Sequence, residues 1–265
     1  MKVAVISTVP TLGKTTLIQV LGSVYSRSQG RDVSIFSTGN AQDNIDIITN
    51  ISRSLELDSP HVFKSMVEGA AKDAKELFNY GVQSGEERVY IYDILSANME
   101  QNTKEEFLIS AINKIPSTLT LVEISGDPLS PLNRDVLSTC DCALFLLTTS
   151  IKSIKTYKEI ISSDLPTNVK FNKAIVVAQY NPVVSSIKKV AQELKLKDSD
   201  LYRFPYNNMV AKHAFNGSLD KLAYNIVVTG DSEVVNLRMP IQEIMEFIFN
   251  TERNKIIRSI DKWYR

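Results

Sequence analysis

The stretch ISTVPTLGKTTL, residues 6–17, decides the fold, because it joins an apolar run to a helical pattern through a short loop. The loop ends in Gly13-Lys14-Thr15-Thr16, the second half of a Walker A phosphate-binding motif, G-x-x-x-x-G-K-[ST]. In such a loop, backbone amides and the positive end of the helix bind phosphate, the lysine contacts the terminal phosphates, and the hydroxyl ligates Mg²⁺. The pattern predicts that ATP or ADP binds to the following residues: Thr11, Leu12, Gly13, Lys14, Thr15 and Thr16.

The first half of this loop departs from the motif. Thr8 stands where the motif has its first glycine, so a side chain occupies a position at which glycine allows close approach or a positive φ. Pro10 has no N–H and removes one phosphate donor. We therefore expect a loop that binds phosphate with an incomplete set of donors.

Short β-branched runs alternate with helical patterns along the chain. The runs that predict strands are KVAVIS (2–7), DVSIFS (32–37), RVYIYD (88–93), STLTLVEIS (117–125), CALFLLTT (142–149), KAIVVAQY (173–180) and LYRFP (201–205). A helix is predicted to follow the loop and to end at Gly30. Nearly continuous apolar strands that alternate with helices predict an α/β fold, a doubly wound, mostly parallel sheet with helices on both faces. Ligands bind at the carboxyl ends of the strands in such sheets.

Composition excludes several classes of protein. The 265 residues are 43% hydrophobic and 23% charged, and 30 basic side chains balance 30 acidic ones, so charge does not indicate DNA binding. No run approaches the length of a membrane span, which predicts a cytoplasmic protein. Cys140 and Cys142 lie in an apolar run without further ligands nearby, and we expect them to be buried thiols.

Several blocks, in order, resemble the ParA/MinD family of deviant-Walker P-loop ATPases. VPTLGKTT (9–16) takes the place of the family's K-G-G-x-G-K-T-T, and SIFSTGNAQDN (34–44) that of its switch segment. The block LTLVEISGDPLSPLNRDVLSTCDCALFLLTTS (119–150) is similar to the Walker B strand, its loop and the strand after it. The resemblance implies that the adenine contacts the two late loops at Gln179, Pro205 and Tyr206.

The departures from the family concern catalysis. The family's signature lysine falls at Val9, and its switch carboxylates fall at Ser37 and Gly39. The Walker B aspartate falls at Glu123, which could act on Mg²⁺ through water, so the implied metal residues are Thr15 and Glu123. Asp127 either compensates or caps the next helix. Candidate catalytic residues are Ser37, Glu123 and Asp127, and the resemblance implies slow or absent ATP hydrolysis.

Residues 251–265, TERNKIIRSIDKWYR, follow a domain predicted over residues 1–250. On a helix they place isoleucines and aromatics on one side, and five basic residues against two acidic ones give a net charge of +3. A basic amphipathic helix can lie on an anionic membrane surface, which would put the protein at the inner face of the cell membrane. The alternative is a helix packed on the body of the protein or on a partner.

Three functions fit these patterns. The first is a ParA/MinD-like homodimer that positions or recruits a larger assembly, such as a pilus, a secretion or conjugation machinery, a plasmid or a division complex. Contact with DNA is suggested by the family resemblance and not by the charge of the chain. The second is an interaction scaffold that keeps the fold without binding nucleotide. The third is a metabolic P-loop ligase, similar to dethiobiotin synthetase. Such an enzyme would need a substrate site with its own carboxylates beside the loop, and none is evident in the sequence.

Overall fold

The computed structural model describes residues 1–10, 12–39, 78, 82–83, 88–95, 99–181, 186–229 and 232–263. Thr11, one of the residues predicted to bind nucleotide, lies outside them. The strands of the described chain are β1 (Lys2–Ser7), β2 (Val33–Ser37), β3 (Val82–Gln83), β4 (Val89–Tyr92), β5 (Leu119–Glu123), β6 (Cys142–Leu147), β7 (Lys173–Tyr180) and β8 (Leu201–Pro205). The seven predicted strands are thereby confirmed.

The described strands form one sheet in the order β3-β4-β2-β5-β1-β6-β7-β8. Neighbouring strands from β4 to β8 pair in parallel, and only the two-residue β3 at the edge runs antiparallel to β4. The mostly parallel sheet predicted from the sequence is confirmed. Because β1 lies between β5 and β6 in the sheet, the loop after β1 opens between two strands that come much later in the sequence.

Helices cover both faces of the sheet, as expected. Among the described residues the α-helices are α1 (Lys14–Gln29), α2 (Gln101–Lys114), α3 (Pro131–Thr139), α4 (Ile151–Ser162), α5 (Thr167–Phe171), α6 (Ile187–Leu194), α7 (Asn208–Phe215), α8 (Leu219–Tyr224) and α9 (Val235–Trp263). The alternation of side chains along each strand supplies both cores. In β1, Val3 and Val5 pack in the core with α1, α8 and α9, whereas Ala4 and Ile6 pack in the opposite core with α2 to α6.

Two glycines set the ends of α1. Gly13 precedes the helix with φ 78° and Gly30 comes after it with φ 61°, both left-handed conformations in which a side chain would be strained. The Gly30 amide donates to the carbonyl of Ser26 at 2.8 Å and closes the last turn. The helix therefore begins and ends where the sequence predicts.

The last helix, α9, runs from Val235 to Trp263 and passes through residue 250 without interruption. The boundary at 250 drawn from the sequence thus lies within a helix and not at the end of one. Pro240 lies inside α9, where it removes one helical donor. Within the described residues, no helix combines the length and apolar character needed to cross a membrane.

Candidate functional site

The phosphate-loop motif lies at the carboxyl end of the central strand β1. The first hydrogen bond of α1 runs from the Leu17 amide to the Gly13 carbonyl at 2.9 Å. The amides of Thr15 and Thr16 precede that bond, in the first turn, where helical N–H groups have no partner within the helix. This first turn therefore presents donors and a positive dipole end to the crevice above the sheet, the geometry that binds phosphate.

Thr15 and Lys14 both contact the end of β5. The Thr15 hydroxyl lies 2.9 Å from each carboxylate oxygen of Glu123, a side chain with only 1% of its surface exposed. Lys14 Nζ donates to the carbonyl of Ile124 at 2.5 Å and lies 3.9 Å from Glu123 Oε1. The residues Lys14, Thr15 and Glu123, all predicted from the sequence, are therefore brought together in one charged cluster in which only Lys14 is partly exposed.

The donor set of this cluster fits Mg²⁺. A hydroxyl that donates its proton to Glu123 keeps lone pairs for a cation, and Mg²⁺ prefers one or two protein oxygens together with water and ligand phosphates. In the described part of the chain, His, Cys, Asp and Glu form no group of three or more that could hold a metal by itself. A cation here would be held by Thr15 directly and by Glu123 through water, with phosphate completing its coordination.

A cleft of about 890 Å³ opens in front of the loop. Its walls are residues 7–10 and 12–16 of the loop and the first turn of α1, the β5–α3 connection of residues 125–128, and Thr156 and Ile160 on α4. The cleft is large enough for a nucleotide, since ligand sites typically enclose about 300–1,000 Å³.

Asp127 lines this cleft but does not cap α3. Its Oδ1 accepts a hydrogen bond from the Leu129 amide at 2.9 Å, which fixes a turn, and Ser130 caps the helix by accepting from the Asn133 amide. The prediction that Asp127 caps the next helix is therefore wrong. The reason is local: a Ser-Pro pair at 130–131 supplies both the capping oxygen and the proline favoured in the first turn.

Asn133 holds the β5–α3 connection, and the sequence pattern gave no sign of it. Its side-chain Nδ2 donates to the carbonyls of Ser125 and Asp127, at 2.8 and 2.7 Å. Between these two acceptors, Gly126 adopts φ 71°. Asn133 is buried, and it lies ten residues after Glu123, so only the folded loop reveals the contact.

Of the predicted residues that the structure describes, four do not line this cleft: Ser37, Gln179, Pro205 and Tyr206. Ser37 pairs in register with Glu123, and its hydroxyl accepts from the Gly39 amide at 3.1 Å. Gln179 adopts φ 53° at an irregularity near the carboxyl end of β7, and the Tyr206 amide, after Pro205, donates to the Tyr180 carbonyl at 3.0 Å. The two late loops thus lie side by side on the same edge of the sheet. Their contact with an adenine stays a prediction.

This chain has the fold of MinD and of ParA-family P-loop ATPases. It superposes on a ParA-family ATPase from Chlorobium tepidum TLS with a TM-score of 0.68 at 12% identity, over 91% of this chain and 95% of the other. A chain of the MinC:MinD cell division complex from Aquifex aeolicus gives 0.64 at 15% identity, over 92% and 96%. MinD from Pyrococcus horikoshii OT3, complexed with Mg-ADP, gives 0.59 at 13% identity, over 92% and 95%.

No protein-family model matches the chain, and no curated protein does. At identities of this size, the likeness to the solved structures shows the fold alone.

Proposed function

We propose that this protein binds ATP or ADP with Mg²⁺ at Gly13–Thr16 and acts as a ParA/MinD-like protein that positions or recruits a larger assembly. The observation that carries the proposal is the contact of the Thr15 hydroxyl with the buried Glu123 carboxylate, at 2.9 Å, where the loop opens α1. Burial of a carboxylate is costly unless it has partners. Glu123 lies beside the Thr15 hydroxyl, which suits Mg²⁺, and beside the Lys14 ammonium group, which suits phosphate.

We expect the state of the protein to be set by nucleotide binding more than by nucleotide hydrolysis. A bound nucleotide would place its phosphates, with Mg²⁺, against the loop. Lys14 would supply the principal positive charge of the protein that neutralises them. A carboxylate at the end of β2 would orient an attacking water, but that position holds Ser37, whose hydroxyl is not a base near neutral pH. Val9 supplies no cation to stabilise the transition state. We therefore expect slow or absent turnover.

The functional setting is taken from the neighbours in fold. A MinD chain occurs in a complex with MinC, and a neighbour from Chlorobium tepidum TLS is a ParA-family ATPase, so a protein partner in a larger assembly and a homodimer are proposed here as well. We propose a cytoplasmic protein that reaches the inner face of the cell membrane through residues 251–265. The balanced charge of the chain does not favour DNA binding, so DNA is only a partner to be tested.

Titration calorimetry with ADP and a slowly hydrolysed ATP analogue, each with and without Mg²⁺, tests the proposal. We expect binding that Mg²⁺ strengthens and that Lys14→Ala weakens at least about tenfold, because Lys14 places the main charge on the terminal phosphates. Light scattering of the same samples then measures whether the ATP analogue favours a dimer. Equal affinity in wild type and variant, or none in either, contradicts the proposal.

A scaffold without nucleotide is the second candidate. The observation that favours it is the first half of the loop, where Pro10 lacks an amide donor and Thr8 replaces a glycine. A protein that dimerises at the same concentration with and without nucleotide, and that gives no heat of binding, would support this candidate.

A further inference from the structure

Thr8, at the start of the loop, has its side chain turned toward the neighbouring strand and buried to all but 6% of its surface. Its amide donates to the carbonyl of Leu146 on β6 at 3.0 Å. Its hydroxyl lies 3.2 Å from the same carbonyl and 2.5 Å from the hydroxyl of Ser153 on α4. The side chain that replaces the motif's first glycine thus contacts β6 and α4.

The proton positions in this network are set by its acceptors. The Thr148 amide donates to Ser153 Oγ at 2.9 Å, so the Ser153 hydroxyl accepts there and has one proton of its own to donate. The carbonyl of Leu146 can only accept, so the Thr8 hydroxyl donates to it and accepts from Ser153. Each hydroxyl then uses its single proton, and the fully buried Ser153 has its hydrogen bonds satisfied.

The network joins two walls of the cleft. Thr8 lies in the loop wall, and Ser153 lies in the first turn of α4, whose cap Ser150 accepts from the Ser153 amide at 3.2 Å. Further along the same helix, Thr156 and Ile160 line the cleft. The hydroxyl pair therefore links the loop directly to α4.

We propose that Thr8 is a positioning residue for nucleotide binding, because its hydroxyl anchors the first half of the phosphate loop to α4 through Ser153. A glycine at this point would leave the loop more conformations, which binding would have to restrict. An anchored loop is ordered before the ligand arrives, so less free energy is lost on binding. The inference rests on the proposed function. It extends that function to Thr8, a threonine at a position where the phosphate-loop motif has glycine.

Isosteric and conservative variants of Thr8 test the role. Thr8→Val keeps the shape, removes the hydroxyl and leaves the Ser153 proton without its acceptor, and we expect ADP affinity to fall about tenfold. Thr8→Ser restores the hydroxyl and should bring the affinity back to within about twofold of wild type. Both are measured by calorimetry on the full chain, with melting temperatures recorded in parallel.

Thr120→Val is the matched control. Thr120 is a buried threonine, 3% exposed, whose hydroxyl also pairs with a serine hydroxyl, Ser117, at 2.9 Å, but it lies at the opposite end of the sheet. It should lower the melting temperature as Thr8→Val does and leave ADP affinity unchanged. If Thr8→Val and Thr120→Val lower the melting temperature alike and both bind ADP like wild type, Thr8 is structural only and the inference is wrong.

Ser153→Ala provides the second test. We expect it to weaken ADP binding as Thr8→Val does, and the double variant should be no weaker than the single ones, because both remove the same contact. Additive losses contradict the pairing. Wild type that binds no nucleotide overturns the proposed function and this inference with it, whereas tight wild-type binding that Thr8→Val leaves intact overturns this inference alone.

Discussion

Lys14→Ala is expected to lower the stability of the ligand-free protein as well as its affinity for nucleotide. Lys14 Nζ lies 3.9 Å from Glu123 Oε1, and the two side chains are 14% and 1% exposed. Unit charges this far apart attract by about 4 kcal/mol at an effective dielectric constant of about 20. Removal of the lysine leaves a carboxylate that folding has taken out of water.

The net loss is smaller than the Coulomb energy. Breaking a buried pair by removing one partner costs about 3–5 kcal/mol. Here the remaining Glu123 keeps the Thr15 hydroxyl, and water can enter where the partly exposed Lys14 was, so we expect a loss of roughly 2 kcal/mol in the free energy of unfolding. Urea denaturation without nucleotide measures it directly.

A second substitution separates the two roles of the lysine. In Lys14→Ala/Glu123→Gln the buried negative charge is gone and an acceptor for Thr15 remains, so most of the lost stability should return while ADP binding stays weak. Lys155→Ala is the control, because Lys155 lies at the same 3.9 Å from Glu159 but is 76% exposed. Its effect should stay within about 0.5 kcal/mol. If Lys14→Ala is as stable as Lys155→Ala, or if the double variant regains ADP binding, the reasoning is refuted.

Four more predictions concern turnover, the end of the chain, the thiols and the β5–α3 connection. ATP turnover with excess Mg²⁺, measured by phosphate release, should stay below the range of about 1–100 s⁻¹ typical of kinases, and a rate inside that range contradicts the proposed site. Deletion of residues 251–265 should leave ADP affinity intact and abolish sedimentation with anionic vesicles. If the deletion instead lowers the melting temperature of lipid-free protein by several degrees, the segment packs on the body. Burial raises the pKa of Cys140 from 9.0 to about 12, and it raises the pKa of Cys142 too. Both thiols should therefore resist alkylation until urea unfolds the chain, and stability should fall as the pH rises above 9, where only the unfolded state releases thiol protons. Asn133→Asp, which removes two buried donors, should cost about 1–3 kcal/mol in urea denaturation, and an unchanged midpoint would show that the loop does not need them.

Local features of the sequence were sufficient for the elements of the fold. The strands have continuous apolar runs because parallel strands are buried on both faces, and that pattern is visible without a structure. Gly13 and Gly30 mark the ends of α1 for an equally local reason, since both adopt a left-handed conformation that other residues avoid. The candidate phosphate loop was recognisable because the donors of such a loop are backbone amides placed by one strand, one turn and one helix.

Prediction from the sequence was less successful where a side chain could take more than one local role. Asp127 was predicted either to compensate for a missing carboxylate or to cap α3. Ser130 caps that helix and Asp127 fixes the turn before it, whereas compensation by Asp127 stays a prediction. At Thr8 the pattern shows a missing glycine, whereas the folded chain shows a hydroxyl bound to β6 and α4. Which acceptor a hydroxyl or carboxylate finds is decided by the groups that packing brings near it.

The sequence by itself determined the strands of the sheet, the helix that opens the candidate site and the residue types of its phosphate-loop motif, because these depend on periodicity and backbone conformation over a few neighbours. Only the tertiary structure decided which side chains contact one another at the site. Glu123 reaches Thr15 across 108 residues and Ser153 reaches Thr8 across 145, since β1 lies between β5 and β6. Strand order, which no local pattern encodes, sets these partners.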